Sequence, residues 1–285
     1  MIGRLLGPLA FTTDAGELEI IVVANGCTDD TVEVARSFGP PVRVVSTPVA
    51  SKAAALAAGD EIAAGFPRVY IDADVELEAD DLRVLAKALL HPGILATAPQ
   101  RELPLADSPW LVRWWYEVWS RLPEVEHGLF GRGVICLSEA GYERIAELPP
   151  VIADDLITSL AFAQSERMIA DGARVLIHPP RTVTDLLRRR VRAVVGVRQV
   201  EQAADAPGST ARTQMGDLLA IARRSPTMTV KVAVFVAVSI LARLKARRAT
   251  ARGESSTWLR DESSRMGATK EQVEAAADSV SKLTK

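Results

Sequence analysis

The chain has 285 residues, 48% hydrophobic and 25% charged, with a formal net charge of -2. That length suits one large α/β domain, or one domain with an appendage, and that composition excludes disordered and collagen-like classes. A charge so near zero gives no global reason to expect nucleic acid as a partner, although basic residues gather at Arg188, Arg189, Arg190, Arg192 and Arg198, and again at Arg243, Lys245, Arg247 and Arg248.

Such local charge suits phosphate or an anionic membrane surface. Cys27 and Cys136 have no metal-ligand spacing and no secretory leader before them, so a reducing, cytoplasmic compartment is the default. No apolar run reaches the roughly 18 to 20 uncharged residues of a spanning helix. The nearest, Val232 to Ala242 between Lys231 and Arg243, reads as a core or interfacial helix.

In chain order, Ile2 to Leu9 reads as the back half of an amphipathic helix. Glu17 to Val23 reads as a strand running into the Ala24-Asn25-Gly26 turn, after which Thr28-Asp29-Asp30-Thr31 opens a helix through Phe38. Val42 to Ser46 is a strand, Ser51 to Ala64 an Ala-rich helix and Val69 to Ile71 a buried strand. This alternation with short connections predicts a parallel sheet covered by helices. Ligands of such sheets bind beyond the carboxyl ends of the strands, where Asn25 and Asp72 to Asp74 fall.

Asp80 to Leu90 is a further helix, Gly93 to Ala98 a strand, and Trp110 to Leu122 a helix bearing Trp110, Trp114, Trp115, Tyr116 and Trp119. The indoles recur at helical spacing, which predicts core packing on at least one face and leaves an excess for a sugar-stacking wall or a membrane-interface anchor. A Gly-rich patch at Gly128, Gly131 and Gly133 precedes a strand at Val134 to Leu137 and a helix at Ser138 to Ile145. A helix opened by Asp154-Asp155, a strand at Val175 to His178 and an arginine-rich helix from Thr184 follow. The domain edge falls in Ala206-Pro207-Gly208-Ser209, dividing a domain over 1–205 (halves 17–100 and 101–205) from a helical extension over 206–285 that ends in a polar, loosely held tail.

The most telling stretch is Val69-Tyr70-Ile71-Asp72-Ala73-Asp74. Alternation puts Asp72 and Asp74 on the same side of the strand end, where two carboxylates repel unless a cation lies between them. A divalent ion held by one or two carboxylates plus substrate phosphates fits. The other reading makes one aspartate the cap of the next helix and leaves the other solvated. The same choice applies to Asp154 and Asp155, as a catalytic acid pair or an N-cap.

Five pieces stand in order: Asn25-Gly26-Cys27-Thr28-Asp29-Asp30-Thr31, Ser51-Lys52-Ala53-Ala54-Ala55-Leu56-Ala57-Ala58-Gly59, Asp72-Ala73-Asp74, Gly131-Arg132-Gly133 and Ala153-Asp154-Asp155. That succession over Glu17 to Gln199 closely resembles the family 2 glycosyltransferases, inverting enzymes of the GT-A fold. The resemblance implies an α/β, Rossmann-like, mostly parallel sheet flanked by helices, with a C-terminal helical extension. It implies a nucleotide-diphosphate sugar as donor, a saccharide or lipid-linked acceptor, no nucleic acid, and Mg²⁺ or Mn²⁺ as cofactor.

Carried onto these positions, Asp74 would ligate the metal, and Asp72 would hold the ribose or the metal's water shell. Asp155, paired with Asp154, would be the general base. Asn25 and Asp29 would touch the nucleoside, and Lys52, Arg132, Arg189 and Arg192 would lie along the diphosphate and sugar. Lys52 reads equally as a solvated lysine, and Arg188, Arg189 and Arg192 as a solvated helix face. Ala24 stands where the family usually has an acid that reads the base.

The family's first strand and its nucleotide-contacting loop have no counterpart before Met1-Ile2-Gly3-Arg4-Leu5-Leu6. The expectation is that the chain as given starts too late and that its sheet lacks a central strand. The leading expectation is a metal-dependent transferase for cell-envelope polysaccharide, cytoplasmic and at the inner face of the plasma membrane through peripheral contact of Thr227 to Leu244. That segment reads equally as a helix packed on the catalytic domain. A nucleotidyltransferase and a non-catalytic relic are the alternatives.

Overall fold

The computed structural model describes residues 1–14, 16–149, 153–203 and 213–251. The expected domain edge at 206–209 and the polar tail lie outside these. Helix α1 (Ile2–Phe11) buries Ile2, Leu5, Leu6 and Leu9, a spacing that puts one apolar stripe against the core. Strand β1 (Ile20–Asn25), helix α2 (Thr31–Arg36) and strand β2 (Val42–Thr47) follow, and β1 pairs with β2 in parallel from Ile20↔Val42 to Asn25↔Thr47. Helix α3 (Lys52–Ile62) starts where the Ser51 hydroxyl accepts the Ala54 N–H at 3.3 Å, and it packs on β1.

A second sheet holds five strands in the order β3-β6-β5-β7-β4. They are β3 (Arg68–Ile71), β4 (Val75–Glu76), β5 (Ala96–Glu102), β6 (Val134–Leu137) and β7 (Arg167–Ile177). The β5 and β7 strands run parallel with a bulge at Pro99/Gln100, while β6 is antiparallel to both β3 and β5 and β4 is antiparallel to β7. Thus the parallel order read from the first alternating segments describes the β1·β2 pair and β5·β7, and antiparallel strands enter where that alternation weakens. Helix α4 (Ala79–Ala88) covers β5 and β7.

Among the described residues each of β1 and β3 has a strand partner on one side only, so both are sheet edges. Ile20 to Val23 and Val69 to Ile71 line one cavity of about 1800 Å³, together with Leu5 and Leu6 of α1. Among the described residues the strands therefore form two blocks. One apolar cluster still joins the blocks: Leu5, Leu6, Leu82, Leu85 and Val175, with Val22, Val69 and Ile71 packed against it.

The second half adds α5 (Trp110–Trp119), α6 (Pro123–His127), α7 (Glu139–Ala146), α8 (Asp154–Leu160), α9 (Val183–Ala203), α10 (Met215–Arg224) and α11 (Met228–Ala251). Trp115 is 1% exposed and stacks on Phe235 of α11 at 5.3 Å and on Trp119 at 5.8 Å. With Val112, Val118, Leu186, Ile221 and Val238 it forms a core that fastens α10 and α11 to α5 and α9. Among the described residues, no helix is long and apolar enough to cross a membrane.

Candidate active site

The cavity's walls collect residues far apart in sequence. Asn25 ends β1, Lys52 opens α3, Asp72 and Asp74 follow β3, Asp154 and Asp155 open α8, and Arg189 and Arg192 stand on α9; all eight line it.

Local structure explains why the acids arrive there. The Asp72 N–H donates to the Gly133 carbonyl at 2.7 Å, an added rung beyond the β3·β6 ladder, and fixes where the acidic turn begins. Gly133 has φ +67°, and a Cβ there would stand 2.5 Å from Val75 Cγ1 and 3.4 Å from Asp72 Oδ2. Only glycine lets the backbone come so close. Capping does not explain these aspartates, because the next helix is capped by Glu78 in a box with Asp81. Asp154 and Asp155 are likewise not caps. The N-cap of α8 is Ala153, and both acids lie in the first turn, where the helix dipole favours negative charge.

Lys52 is the link between the two acidic groups. Its Nζ stands 2.6 Å from Asp72 Oδ1 and 3.1 Å from Asp154 Oδ2. Burial works to lower its pKa, but the charges of Asp72, Asp154 and Asp155 outweigh it and raise the value, so the ammonium form is held firmly. The Asp154 carboxyl is pushed up to about 6, first by burial and then by Asp155 and Asp72, against the pull of Lys52. Asp74 opens to the cavity, yet the protein around it and the charge of Asp72 raise its carboxyl, opposed by Arg189 and Arg192. The Gly131 N–H donates to Asp155 Oδ2 at 2.7 Å and sets that carboxylate's orientation.

Two expected site residues go elsewhere. Arg132 is 3% exposed and donates to the carbonyls of Gly128, Pro99, Val125 and Glu126, so its guanidinium braces the turn and does not reach the cavity. Asp29 is exposed and accepts the Thr31 N–H at 3.2 Å at the start of α2; it does not line the cavity. Of the arginine run, Arg188 is a surface residue paired with Asp185 at 3.0 Å. Arg189 instead turns inward, donating to the Tyr116 hydroxyl at 3.3 Å.

Sequence alone does not single out Arg101, which donates to the Gly131 carbonyl at 3.0 Å and lies over the Trp119 ring at 4.9 Å. Burial and Arg132 push it down to about 9, against the pull of Asp155. Arg101 lies between Gln100 and Glu102 at the polar end of its strand, so its neighbours in sequence give no signal.

The model of the family described as Glycosyl transferase family 2 matches residues 9–130. That stretch is similar to family 2 glycosyltransferases. It holds Asn25, Lys52, Asp72 and Asp74, while Asp154, Asp155 and the arginines join the same cavity from beyond it. Solved structures resemble the chain in fold. A mycobacterial protein is 16% identical, with 72% of each chain covered and a TM-score of 0.50. Glucosyl-3-phosphoglycerate synthase from Mycobacterium tuberculosis, in complex with Mn²⁺, UDP-glucose and phosphoglyceric acid, is 21% identical over 65% of this chain and 69% of its own, with a TM-score of 0.45. S. aureus TarS 1-349 in complex with UDP-GlcNAc is 12% identical over 88% of each chain, with a TM-score of 0.48. A search of curated proteins finds no match.

Proposed function

We propose that this glycosyltransferase moves a sugar from a nucleoside-diphosphate sugar to an acceptor hydroxyl with inversion, assisted by Mg²⁺ or Mn²⁺. One observation carries the reading: Lys52 bridges Asp72 and Asp154 inside a cavity that Asp74 and Asp155 also line.

The residues suit the metal. Asp72 and Asp74 repel one another, and Lys52 already engages Asp72, so Asp74 is the carboxylate to hold the cation while Asp72 faces the ribose or the cation's waters. Oxygen ligands from one or two carboxylates, completed by substrate phosphates, make the set that magnesium accepts. When bound, the metal would stabilise negative charge on the departing diphosphate. Arg189 and Arg192 flank Asp74 and supply guanidinium groups for phosphate oxygens.

Asp155 is then the base. It takes the proton of the acceptor hydroxyl as that oxygen bonds to the anomeric carbon from the face opposite the phosphate. The bond between that carbon and the phosphate oxygen breaks, and its electron pair leaves with the nucleoside diphosphate. Asn25, which lines the same cavity, would face the nucleoside. The acceptor is a saccharide or a lipid-linked sugar, and the basic α11 favours peripheral contact with the inner face of a membrane.

Purified protein is incubated with a panel of nucleotide sugars and Mn²⁺, and released nucleoside diphosphate is measured. We expect turnover of at least one donor, with a loss of roughly 10² to 10⁴-fold in Asp155→Asn. The unpaired edges of β1 and β3 favour a second reading, a nucleotide-sugar-binding protein without catalysis. Binding of a donor without turnover decides for it.

A further inference from the structure

The cavity is larger than one small-molecule substrate needs. Ligand pockets of roughly 300 to 1,000 Å³ are usual, against about 1800 Å³ here. Part of the surplus runs between β1 and β3. The rest lies at α9 and α11, beyond Asp74 and the arginines assigned to the donor.

There the wall is cationic. Arg190 of α9 and Arg243 and Arg247 of α11 line it, the last two one helical turn apart. Arg190 sits over the Trp115 ring at 4.8 Å, and its Nε is shielded from solvent without a hydrogen-bond partner. Among the described residues no acid pairs with it; its charged neighbours are Arg243 and Arg189, which repel it. Burial lowers its pKa to about 10, with those two arginines adding to the shift and Tyr116 opposing it. A buried guanidinium on an aromatic floor, with arginines as its charged neighbours, is costly unless an anion joins it. Arg189 links this group to the donor site, because it also acts on Asp74.

We propose that Arg190 and Arg243, with Arg247, form an anion site for a phosphate carried by the acceptor, separate from the donor diphosphate that falls to Arg189 and Arg192. The proposal rests on the transferase reading. Guanidinium groups from two helices that line one wall match a phosphate, whose oxygens accept several charge-assisted hydrogen bonds at once. Trp115 keeps Arg190 extended beneath the ligand, and the exposed Arg243 and Arg247 close over it. The acceptor is thereby a phosphorylated sugar, a phosphorylated polyol or a phospholipid-linked chain, with its hydroxyl directed back toward Asp155.

The test is calorimetric titration of the full chain with sn-glycerol 3-phosphate, with and without saturating UDP and Mn²⁺. A parallel arm sediments the protein with phosphatidylglycerol or phosphatidylcholine vesicles. We expect the phosphate to bind beside UDP, to bind equally well to Asp74→Asn, and to lose at least about tenfold in affinity in Arg190→Met and Arg243→Gln, as expected when a charge-assisted contact is removed. Arg243 is exposed, so its variant keeps the fold and the test stands if Arg190→Met does not. Binding to phosphatidylglycerol vesicles alone, lost in Arg243→Gln, also supports the site and names a lipid as the source.

Displacement of the phosphate by UDP, unchanged affinity in Arg243→Gln, or no binding in either arm overturns the proposal. UDP binding without phosphate binding removes the anion site and leaves the transferase. Phosphate binding without any nucleotide binding removes the transferase instead.

Discussion

Lys52 decides the electrostatics of the cavity, because one ammonium group answers Asp72, Asp154 and Asp155. The Asp154 carboxyl, raised to about 6, is the titrating member within reach of physiological pH. As pH rises through about 6 it ionises and completes the bridge to Lys52, so turnover should climb across that interval. In Asp154→Asn the inflection should vanish, and in Lys52→Met it should move to higher pH because the opposing charge is gone; a pH–rate profile of each variant checks both. Stability runs the other way. An acid with a raised folded-state pKa stabilises the fold when protonated, and that contribution is lost between the ordinary aspartate value and about 6. The Asp154→Asn protein should therefore melt no lower than the parent at pH 8.

Which of these residues the sequence reveals depends on reach. The aspartates of each acidic pair lie within three positions of one another, so strand alternation and helix start signals place them. The Lys52 bridge joins residues 20 and 102 positions apart, and only the fold brings them together. Arg132 misleads for a related reason: two flanking glycines announce a tight backbone without saying where the side chain turns, and here it turns into four carbonyls. Gly133 is the more informative residue of that turn. Gly133→Ala should lower stability by about 1–2 kcal/mol for the left-handed backbone alone, with a further cost for the contact to Val75, measurable by urea denaturation.

At the level of elements, α5 and α11 fasten the second half of the chain. The tryptophan spacing announces a packed face, and Trp115 with Phe235 is that face; Trp110, 51% exposed, is on the other side. The segment Thr227 to Leu244, open between membrane contact and packing in sequence, packs on α5 and α9 along this face. Trp115→Ala should cost about 3–5 kcal/mol, as large-to-small core substitutions do, and should free α11, seen as a lowered denaturation midpoint. Strand β7 is legible only at its end. Its Asp171-Gly172 step looks like a turn, yet the strand continues through it, with Asp171 to Ala173 as the extra residues opposite the Pro99/Gln100 step of β5. Helix α6 is hard to separate from α5 in sequence because Pro123, which opens it at N1, lies one residue past the expected end of the preceding helix.

For the whole molecule, the division of the sheet has a consequence for dynamics. Among the described residues the β1·β2 block meets the rest through apolar side chains, α1 and polar contacts of α3 (Lys52 with Asp72 and Asp154, Asp60 with Arg68 and Tyr70), without a hydrogen-bonded ladder to β3. Amides of β1 and β2 should exchange with solvent well before those of β5, which has ladder partners on both sides. Asn25 belongs to the labile block and Asp72, Asp74 and Asp155 to the firm one or its border, so a nucleotide spanning both should slow exchange in β1. The alternation of the first hundred residues makes the α/β class legible. The antiparallel course of β6 is not, since pairing partners across distant segments leave no local periodicity.

The central claim, that Asp74 holds a divalent ion completed by a nucleoside diphosphate while Lys52 ties Asp72 to Asp154, is tested most directly by electron paramagnetic resonance of Mn²⁺ titrated into the protein with UDP, GDP or ADP. The account predicts one tightly held Mn²⁺ per chain only when the fitting nucleotide is present, and loss of that signal in Asp74→Asn. Tight Mn²⁺ binding that persists in Asp74→Asn, or nucleotide binding that never recruits the ion, would contradict it.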